Sequence, residues 1–303
     1  MLDLRRLRLL SELARRGTIA EVAKVVGYTP SAISQSLAQL ERETGVALLE
    51  RDGRRVRLTP AAAALVSRAD RVLAELDAAE AELAAEDGSV RGELTIGAFP
   101  SAAAAVVGPA IAGLASRHPE LSCSIREHEP EDGIPLLRSG ELDLLVSESY
   151  EQVAGAPVGG LEEHLLVSEP LLLVLPKQAR VRRPVALESL ADAAWIAGLA
   201  GTQFAAALEH ACRAAGFTPR IVHRADDALL FQALVAAGLG IGLLPELACT
   251  RSSDVRFTPV LPAPPRRRVS ALARRGAAQR PSLRAALDAL RRSADEARRA
   301  RPL

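Results

Sequence analysis

The chain opens with leucines at positions 4, 7, 10 and 13. Their recurrence predicts a helix over residues 3–16, and Leu9 widens its apolar stripe enough to pack on other helices. Gly17 ends it, and Thr18-Ile-Ala-Glu21 is a capping box opening a second helix through Ala20, Val22, Ala23 and Val26. Gly27 and Tyr28 make a short turn. Thr29 then caps a third helix, and Pro30 takes its first position, where a missing N–H costs nothing. Ile33, Leu37 and Leu40 form its apolar stripe. After Gly45, short apolar and basic runs flank the tight-turn pair Asp52-Gly53, which reads as a hairpin. Residues 59–86 carry no turn signal. There Leu65, Ala69, Val72, Leu76, Ala79 and Leu83 alternate spacings of four and three, an a/d seam of nearly three heptads. Such a helix extends roughly 40 Å, and Asp87-Gly88-Ser89 breaks it.

From Gly92 the pattern changes to α/β. Residues 94–99, 121–129, 142–147 and 164–175 read as strands, with helices between the first three. These units imply a largely parallel sheet. The run at 164–175 crosses to a second lobe, which holds a strand at 194–198, a helix from Thr202 to Gly216, a strand at 220–223 and a helix opening at Asp226. Residues 255–261 and 268–273 are late strands, the last returning to the first lobe, and 282–300 form a final helix.

The third helix has an unusual polar face. Ser31, Ser34, Gln35, Ala38 and Gln39 are small or amide-bearing, with no charge until Glu41. An ordinary solvated helix carries Lys and Glu there. Short hydroxyl and amide groups suit close approach to another polar surface, such as base edges. Helix, Gly-containing turn and second helix form a helix-turn-helix. The hairpin behind it reads as a wing whose Arg51, Arg54, Arg55 and Arg57 suit phosphate contact.

The stretch AEVAKVVGYTPSAISQSLAQLERETGVALLERDGRRVRLTPAA resembles the N-terminal domain of LysR-type transcriptional regulators. The sharp motifs lie within residues 18–62, although the resemblance covers the whole chain. The family usually has Gly where Ala62 stands and prefers Phe at Leu49; both departures concern packing. The resemblance implies a winged helix-turn-helix over residues 1–58 and a dimerising linker helix over 59–88. Residues 89–303 would then be an effector-binding domain with the two-lobed type 2 periplasmic-binding-protein-like fold. Lobe one spans about 89–163 and 269–303, and lobe two about 164–268. It further implies double-stranded DNA as partner, a homodimer or homotetramer, and contact with RNA polymerase. Thr29, Pro30, Ser31, Ser34 and Gln35 are the expected reading residues, and Arg51, Arg54 and Arg55 the expected phosphate contacts.

Charge supports that reading. Net charge is +1 overall, yet residues 1–60 carry net +4, residues 266–303 net +9 and the middle −12. A basic head matches nucleic acid. The C-terminal arginines read as the solvated face of a helix. No apolar run approaches the ~20 residues of a membrane span. The first residues lack the apolar core of a signal peptide. Cys123, Cys212 and Cys249 are odd in number and far apart, with no metal-binding spacing. A reduced cytoplasm, with no cofactor or metal, is expected.

GLGIGLLP (238–245) lacks the G-x-G-x-x-G spacing and follows a helix, so it reads as a helix end leading into a buried strand. Ser101, Ser147 and Thr202 lack a nucleophile elbow, and the five histidines are scattered, which argues against an enzyme. Pro100-Ser101 and Gly201-Thr202 each precede a helix, where free amides favour an anion. In two-lobed proteins the cleft lies at carboxyl ends of strands. Ser101 and Thr202 are therefore expected to face each other across it and bind an anionic or polar small molecule, with Phe99, Ser147, Glu148 and Gln203 beside them. A plain N-cap role explains each hydroxyl equally well, and the resemblance favours ligand contact. The rival reading is a small-molecule sensor whose N-terminal domain mediates protein contacts; a two-lobed enzyme is a more distant one.

Overall fold

The computed structural model describes residues 2–300, apart from residues 53–54, 88, 152, 156–157, 180–184, 251 and 263. Some side chains within described helices and strands also lie outside the description, including those of Arg51, Arg55 and Leu83. The chain divides into two compact units. One holds residues 1–89 with 135–141 and 274–281, and the other residues 90–134, 142–273 and 282–303.

The first unit is helical. Helix α1 (Leu4–Arg16) is capped by Asp3, whose carboxylate accepts from the amides of Arg5 and Arg6. Helix α2 (Ile19–Val26) is capped by Thr18, which accepts from Glu21 N at 3.2 Å. The capping box is only half formed, because the Glu21 carboxylate pairs with Lys24 at 2.7 Å instead. Helix α3 (Pro30–Thr44) starts at the Thr29 cap and buries Ile33, Leu37 and Leu40. These three contribute ~1.5–3 kcal/mol each. They pack on Leu10, Leu13, Val22 and Leu48.

Strands β1 (Leu49–Asp52) and β2 (Arg55–Leu58) pair antiparallel as the wing, with Leu49 opposite Leu58. Helix α4 (Pro60–Asp87) follows. Ala62 is fully buried where it meets the core, so a methyl fills the place of the expected glycine. The apolar seam divides along its length. Ala69 belongs to the core of this same unit and Leu65 packs against it, whereas Val72 and Leu76 remain 50% and 37% exposed. The seam therefore does not serve one partner throughout: its first turns are claimed by α1 and the helix-turn-helix core.

The second unit is built on one seven-stranded sheet. Strands β3 (Gly92–Ala98), β4 (Leu121–Glu127) and β5 (Leu144–Tyr150) form lobe one, with β3 parallel to both neighbours. The long strand β6 (Leu161–Pro176) leaves lobe one and enters lobe two. There it pairs with β10 (Gly242–Pro245) and β11 (Val255–Thr258). Strand β13 (Arg266–Arg274) returns antiparallel to β5. Lobe two also contains β8 (Ala194–Ala197) parallel to β9 (Arg220–Arg224). A small parallel pair joins β7 (Val185–Ala186) to β12 (Val260–Leu261).

Four helical stretches cover lobe one. α5 (Pro100–Ala102) continues through a π turn (Ala103–Val107) into α6 (Gly108–Arg117). A π turn loosens the carbonyl ladder, and the Val106 carbonyl accepts from Ser293 Oγ at 2.8 Å. Ser293 lies on α10 (Pro281–Arg299), whose apolar face is buried while Arg284, Arg291, Arg292, Arg298 and Arg299 are exposed. The start of α7 (Pro130–Ser139), up to Ile134, also belongs to this unit. Lobe two carries α8 (Gln203–Ala214) and α9 (Ala228–Ala236). After α9 the chain turns at Gly238, where φ is +75°, and runs into β10. At Gly242 an added Cβ would lie 2.4 Å from Phe231 Cζ and 2.7 Å from the Ile196 carbonyl oxygen. The glycines of 238–242 thus serve backbone turning and close packing.

Candidate functional site

The outward face of α3 is built by its buried stripe. With Ile33, Leu37 and Leu40 inward, helical periodicity turns Ser31, Ser34 and Gln35 outward, and all three are exposed. Thr29 and Pro30 stand exposed at its head. The Thr29 hydroxyl accepts from Ala32 N at 3.2 Å and lies 3.0 Å from Ser31 Oγ, so it is spent on the cap. Gln39 is engaged with Arg42 and Glu43 along the same helix. Ser34 and Gln35 have no side-chain hydrogen bond among the described residues. Arg57 is exposed on β2. Arg54, and the side chains of Arg51 and Arg55, lie outside the described residues.

The wing is tied to this helix by a residue that sequence reasoning did not single out. Glu41 Oε1 accepts from the amides of Leu48 at 2.8 Å and Leu49 at 3.0 Å. On the other side of the same segment, Thr59 Oγ1 donates to the Ala47 carbonyl at 2.9 Å and Thr59 N to Leu48 O at 3.0 Å. The path from reading helix to wing is therefore held from both edges.

In the second unit, a buried guanidinium gathers several of the expected ligand-site residues. Arg267, on β13, is 3% exposed. Its Nε donates to Glu169 Oε1 at 2.7 Å, and Nη2 lies 2.6 Å from the same oxygen. Its Nη1 donates to Glu148 Oε2 at 2.8 Å and to Ser101 Oγ at 3.2 Å. The Phe99 ring lies beneath, 5.0 Å from the guanidinium carbon, within cation–π range. Tyr150 donates to Glu148 Oε1 at 3.0 Å. Glu169 Oε2 accepts from Leu247 N at 2.5 Å.

Burial works against charge on Arg267, but Glu169 and Glu148 outweigh it and hold the guanidinium charged. Burial pushes the Glu148 carboxyl above its usual range, with Arg267 and Tyr150 opposing. Burial also keeps the Tyr150 phenol protonated, reinforced by Glu148. One cation thus serves two carboxylates and one hydroxyl. Phe99, Ser101 and Glu148, three of the residues expected to contact a ligand, meet here. Ser147 is buried and alternates to the other face of β5 from Glu148. Arg267, Glu169 and Tyr150 were not anticipated.

Across the gap, Thr202 caps α8. Its hydroxyl accepts from Ala205 N at 3.2 Å and donates to the Leu199 carbonyl at 2.9 Å. The expectation of a hydroxyl donor at Thr202 is therefore corrected: its proton is already committed to the Leu199 carbonyl. Gln203 spans the gap, donating from Nε2 to Glu131 Oε1 at 3.4 Å, while its own Oε1 is buried without a described partner. Glu129 stands beside them. Its carboxyl is pushed up to about 7, by desolvation first and then by the charges of Glu148, Asp226, Glu131 and Glu127. Much of the Glu129 surface remains in water, which screens part of this effect.

The hydroxyl of Ser101 faces a guanidinium, which cannot take its proton, so nothing in this pairing activates a nucleophile. Among the described residues no group of His, Cys, Asp and Glu is arranged to hold a metal ion, and no helix is long and apolar enough to cross a membrane.

Comparison with known proteins gives two family matches. Residues 4–63 match the bacterial regulatory helix-turn-helix protein domain of the lysR family, and residues 87–295 match the LysR substrate binding domain. The transcriptional dual regulator GltC of Bacillus subtilis is 27% identical over 265 residues, which cover 86% of each chain. A probable hydrogen peroxide-inducible genes activator of Streptomyces viridosporus is 30% identical over 287 residues, covering 91% of this chain and 89% of that one. Among solved structures, a full-length OxyR variant from Pseudomonas aeruginosa superposes with a TM-score of 0.71 at 22% identity, covering 96% and 95% of the two chains. Full-length CbnR complexed with target DNA gives 0.56 at 23% identity, covering 97% and 100%. At such identities the structural likeness speaks for the fold.

Proposed function

The chain belongs to the LysR family of transcriptional regulators, DNA-binding proteins with an effector-binding domain, and on that premise we propose which of its residues read DNA and which receive the effector. Ser34 and Gln35 read base edges in the major groove, with Ser31 and the Thr29-Pro30 head against the backbone. The observation that carries this is the exposed, uncharged face of α3 behind its buried stripe. The wing arginines Arg51, Arg54, Arg55 and Arg57 meet the flanking phosphates. Such contacts fix position but do not specify sequence.

The effector is a small molecule with one anionic or strongly polar group, received between the Ser101 hydroxyl and the first-turn amides of α8. Glu129, Glu131 and Asp226 around the same gap put a cost on a bare polyanion. This favours a ligand with one acceptor group and an otherwise neutral or donor-rich body. Several relatives are named as peroxide-inducible activators, which raises the question of a thiol sensor. The reacting species would be the thiolate. Cys212 is fully buried, and desolvation, then Glu209, push its thiol up to about 12. Burial raises Cys123 as well. We therefore assign sensing to the gap rather than to Cys212 or Cys123.

The distal half of α4, with Val72 and Leu76 outward, pairs two copies, and two reading heads then face a roughly two-fold DNA site. Pairing of such dimers into a tetramer, contact with RNA polymerase and a cytoplasmic location complete the reading. The test is duplex binding over a salt series. Ser34→Ala with Gln35→Ala should lower specific binding by ~1–3 kcal/mol per lost base contact and leave non-specific binding in place. Arg57→Ala should lower both and flatten the salt slope. An unchanged specificity ratio in the double variant would overturn the base-reading role. Effector response in a reporter strain should fall in Ser101→Leu while effector-free DNA binding persists.

A further inference from the structure

The Ser101 hydroxyl has one proton to give and two lone pairs to receive. Arg267 Nη1 already donates to it at 3.2 Å. A guanidinium is a donor only. Ser101 must therefore be the acceptor in this contact, and its own proton points elsewhere. Among the described residues no acceptor takes that proton. The head of α5 is thus left with a hydroxyl fixed on one side and unspent on the other.

Resting on the reading of the gap as the effector site, we propose that Arg267 is a positioning residue that sets ligand specificity. By donating to Ser101 Oγ it commits the Ser101 proton to a hydrogen-bond acceptor on the ligand, a carboxylate before a neutral carbonyl.

Three observations support this assignment. First, the guanidinium is held on several sides: Nε donates to Glu169, Nη1 is shared by Glu148 and Ser101, and Phe99 lies against its face, while Nη2 sits 2.6 Å from Glu169 without a described hydrogen-bond partner. A donor held in this way has little orientational freedom left to lose. Second, Arg267 is 3% exposed, so its charge reaches a ligand through the groups it bonds, and Ser101 is the one at the head of α5. Hydrogen bonds in which one partner is charged are roughly twice as strong as neutral ones, and chains of them reinforce one another. Third, the alternative donor on the opposite lobe is spent, because the Thr202 proton goes to the Leu199 carbonyl. Ser101 is then the hydroxyl donor available to the ligand from the two helix heads.

Lysine retains the charge of arginine but has no planar fork. An ammonium has three donors but they leave one nitrogen, which cannot stand at both the Nε position facing Glu169 and the Nη1 position facing Glu148 and Ser101. Arg267→Lys therefore avoids a naked buried carboxylate pair while releasing Ser101. The experiment uses the full-length protein and a panel of mono- and dicarboxylates of two to eight carbons, each beside its neutral amide. Thermal shift and calorimetry give the affinities.

The wild-type protein should bind at least one carboxylate, at least ~10-fold more tightly than its amide. In Arg267→Lys that ratio should collapse toward one, with amide affinity little changed; a purely structural role would weaken both alike. Ser101→Ala should remove the ratio as well. A ratio preserved in Arg267→Lys, with Ser101→Ala abolishing it, overturns the role of Arg267 and leaves the site in place. Binding indifferent to both substitutions places the site elsewhere and overturns the reading of the gap. A wild-type protein that binds no carboxylate of the panel, or binds amides equally, overturns the acceptor preference itself.

Discussion

Glu41 offers the sharpest test of how the reading helix and the wing are joined. Its Oε1 is the acceptor for the amides of Leu48 and Leu49, at 2.8 and 3.0 Å. A hydrogen bond to a charged group contributes ~1.5–3 kcal/mol. Here both bonds share one oxygen and the side chain is half-buried, which places the pair near ~2–3 kcal/mol in total. Glu41→Ala leaves the two amides to find water, and Leu48 is buried in the core. The segment should then open about 30- to 150-fold more often. The change is local, because the Thr59 bonds to Ala47 and Leu48 remain.

Amide hydrogen exchange on the full-length protein reads this directly. The amides of Leu48 and Leu49 should exchange faster by that factor in Glu41→Ala, and by a smaller one in Glu41→Gln, which keeps a neutral acceptor. Amides in the middle of α1 should not change. With the wing arginines in the phosphate-contacting role proposed above, non-specific and specific DNA affinity should fall together in the same variant, with the specificity ratio retained. Exchange at Leu48 and Leu49 within about threefold of wild type would refute the energetic assignment. A fall confined to specific binding would show that Glu41 acts on the reading face and not on the wing.

Three further outcomes follow. The folded Glu129 carboxyl keeps its proton up to about pH 7, against an ordinary value of 4.5. The folded state therefore binds the extra proton between those values, and stability falls as pH rises through that window. Glu129→Gln should raise the melting temperature at pH 8 and leave it unchanged near pH 4.5; an equal effect at both would refute the linkage. Leu76→Asp would set like charges against each other in the proposed α4 pairing, so the variant should sediment as a monomer and lose palindromic DNA binding; a dimeric variant places the interface elsewhere. Gly242→Ala puts a methyl against Phe231 and the Ile196 carbonyl and should cost ~1–3 kcal/mol by overpacking, visible as a lower denaturant midpoint.

The helical unit was legible in sequence because its signals are local. Thr18, Thr29 and Pro30 announce helix starts within a few residues, and the stripe of Ile33, Leu37 and Leu40 fixes which face is free. The strands of the second unit were legible from short apolar runs, although β6 extends three residues earlier than its run suggests and β5 three residues later. What local pattern misjudged was partnership. The Glu21 half of the capping box was lost to Lys24. The seam of α4 was read as one interface because periodicity records which face is apolar and not what covers it. The Arg267 cluster was missed for the same reason, since its members come from β5, β6, β13 and the head of α5. Part of a signal was present: Glu148 and Glu169 stand beside short apolar runs of their strands, whereas Arg267 is hidden between Arg266 and Arg268 at the head of β13. Charged residues in such positions are rarely buried unless paired. The two acids therefore implied a buried cationic partner, but only the crossover topology shows that Arg267 supplies it.

That topology also limits what one contact can do. Arg267 reaches lobe one through Ser101 and Glu148, and lobe two through Glu169 and the Leu247 amide. It lies where the crossover strands β6 and β13 join the lobes, so a ligand at Ser101 acts beside the hinge. A ligand changes the balance of two lobe arrangements only by binding one better than the other. Driving a population from one extreme to the other takes ~5.5 kcal/mol of such preference. A charge-assisted bond from Ser101 supplies ~1.5–3 kcal/mol, which is insufficient alone. The remainder has to come from the other lobe, where the α8 amides and the Gln203 bridge to Glu131 are the groups in reach. With the effector at the proposed site, one that switches this protein has to span the gap. A fragment that satisfies Ser101 alone should bind, show the carboxylate preference, and leave DNA affinity unchanged.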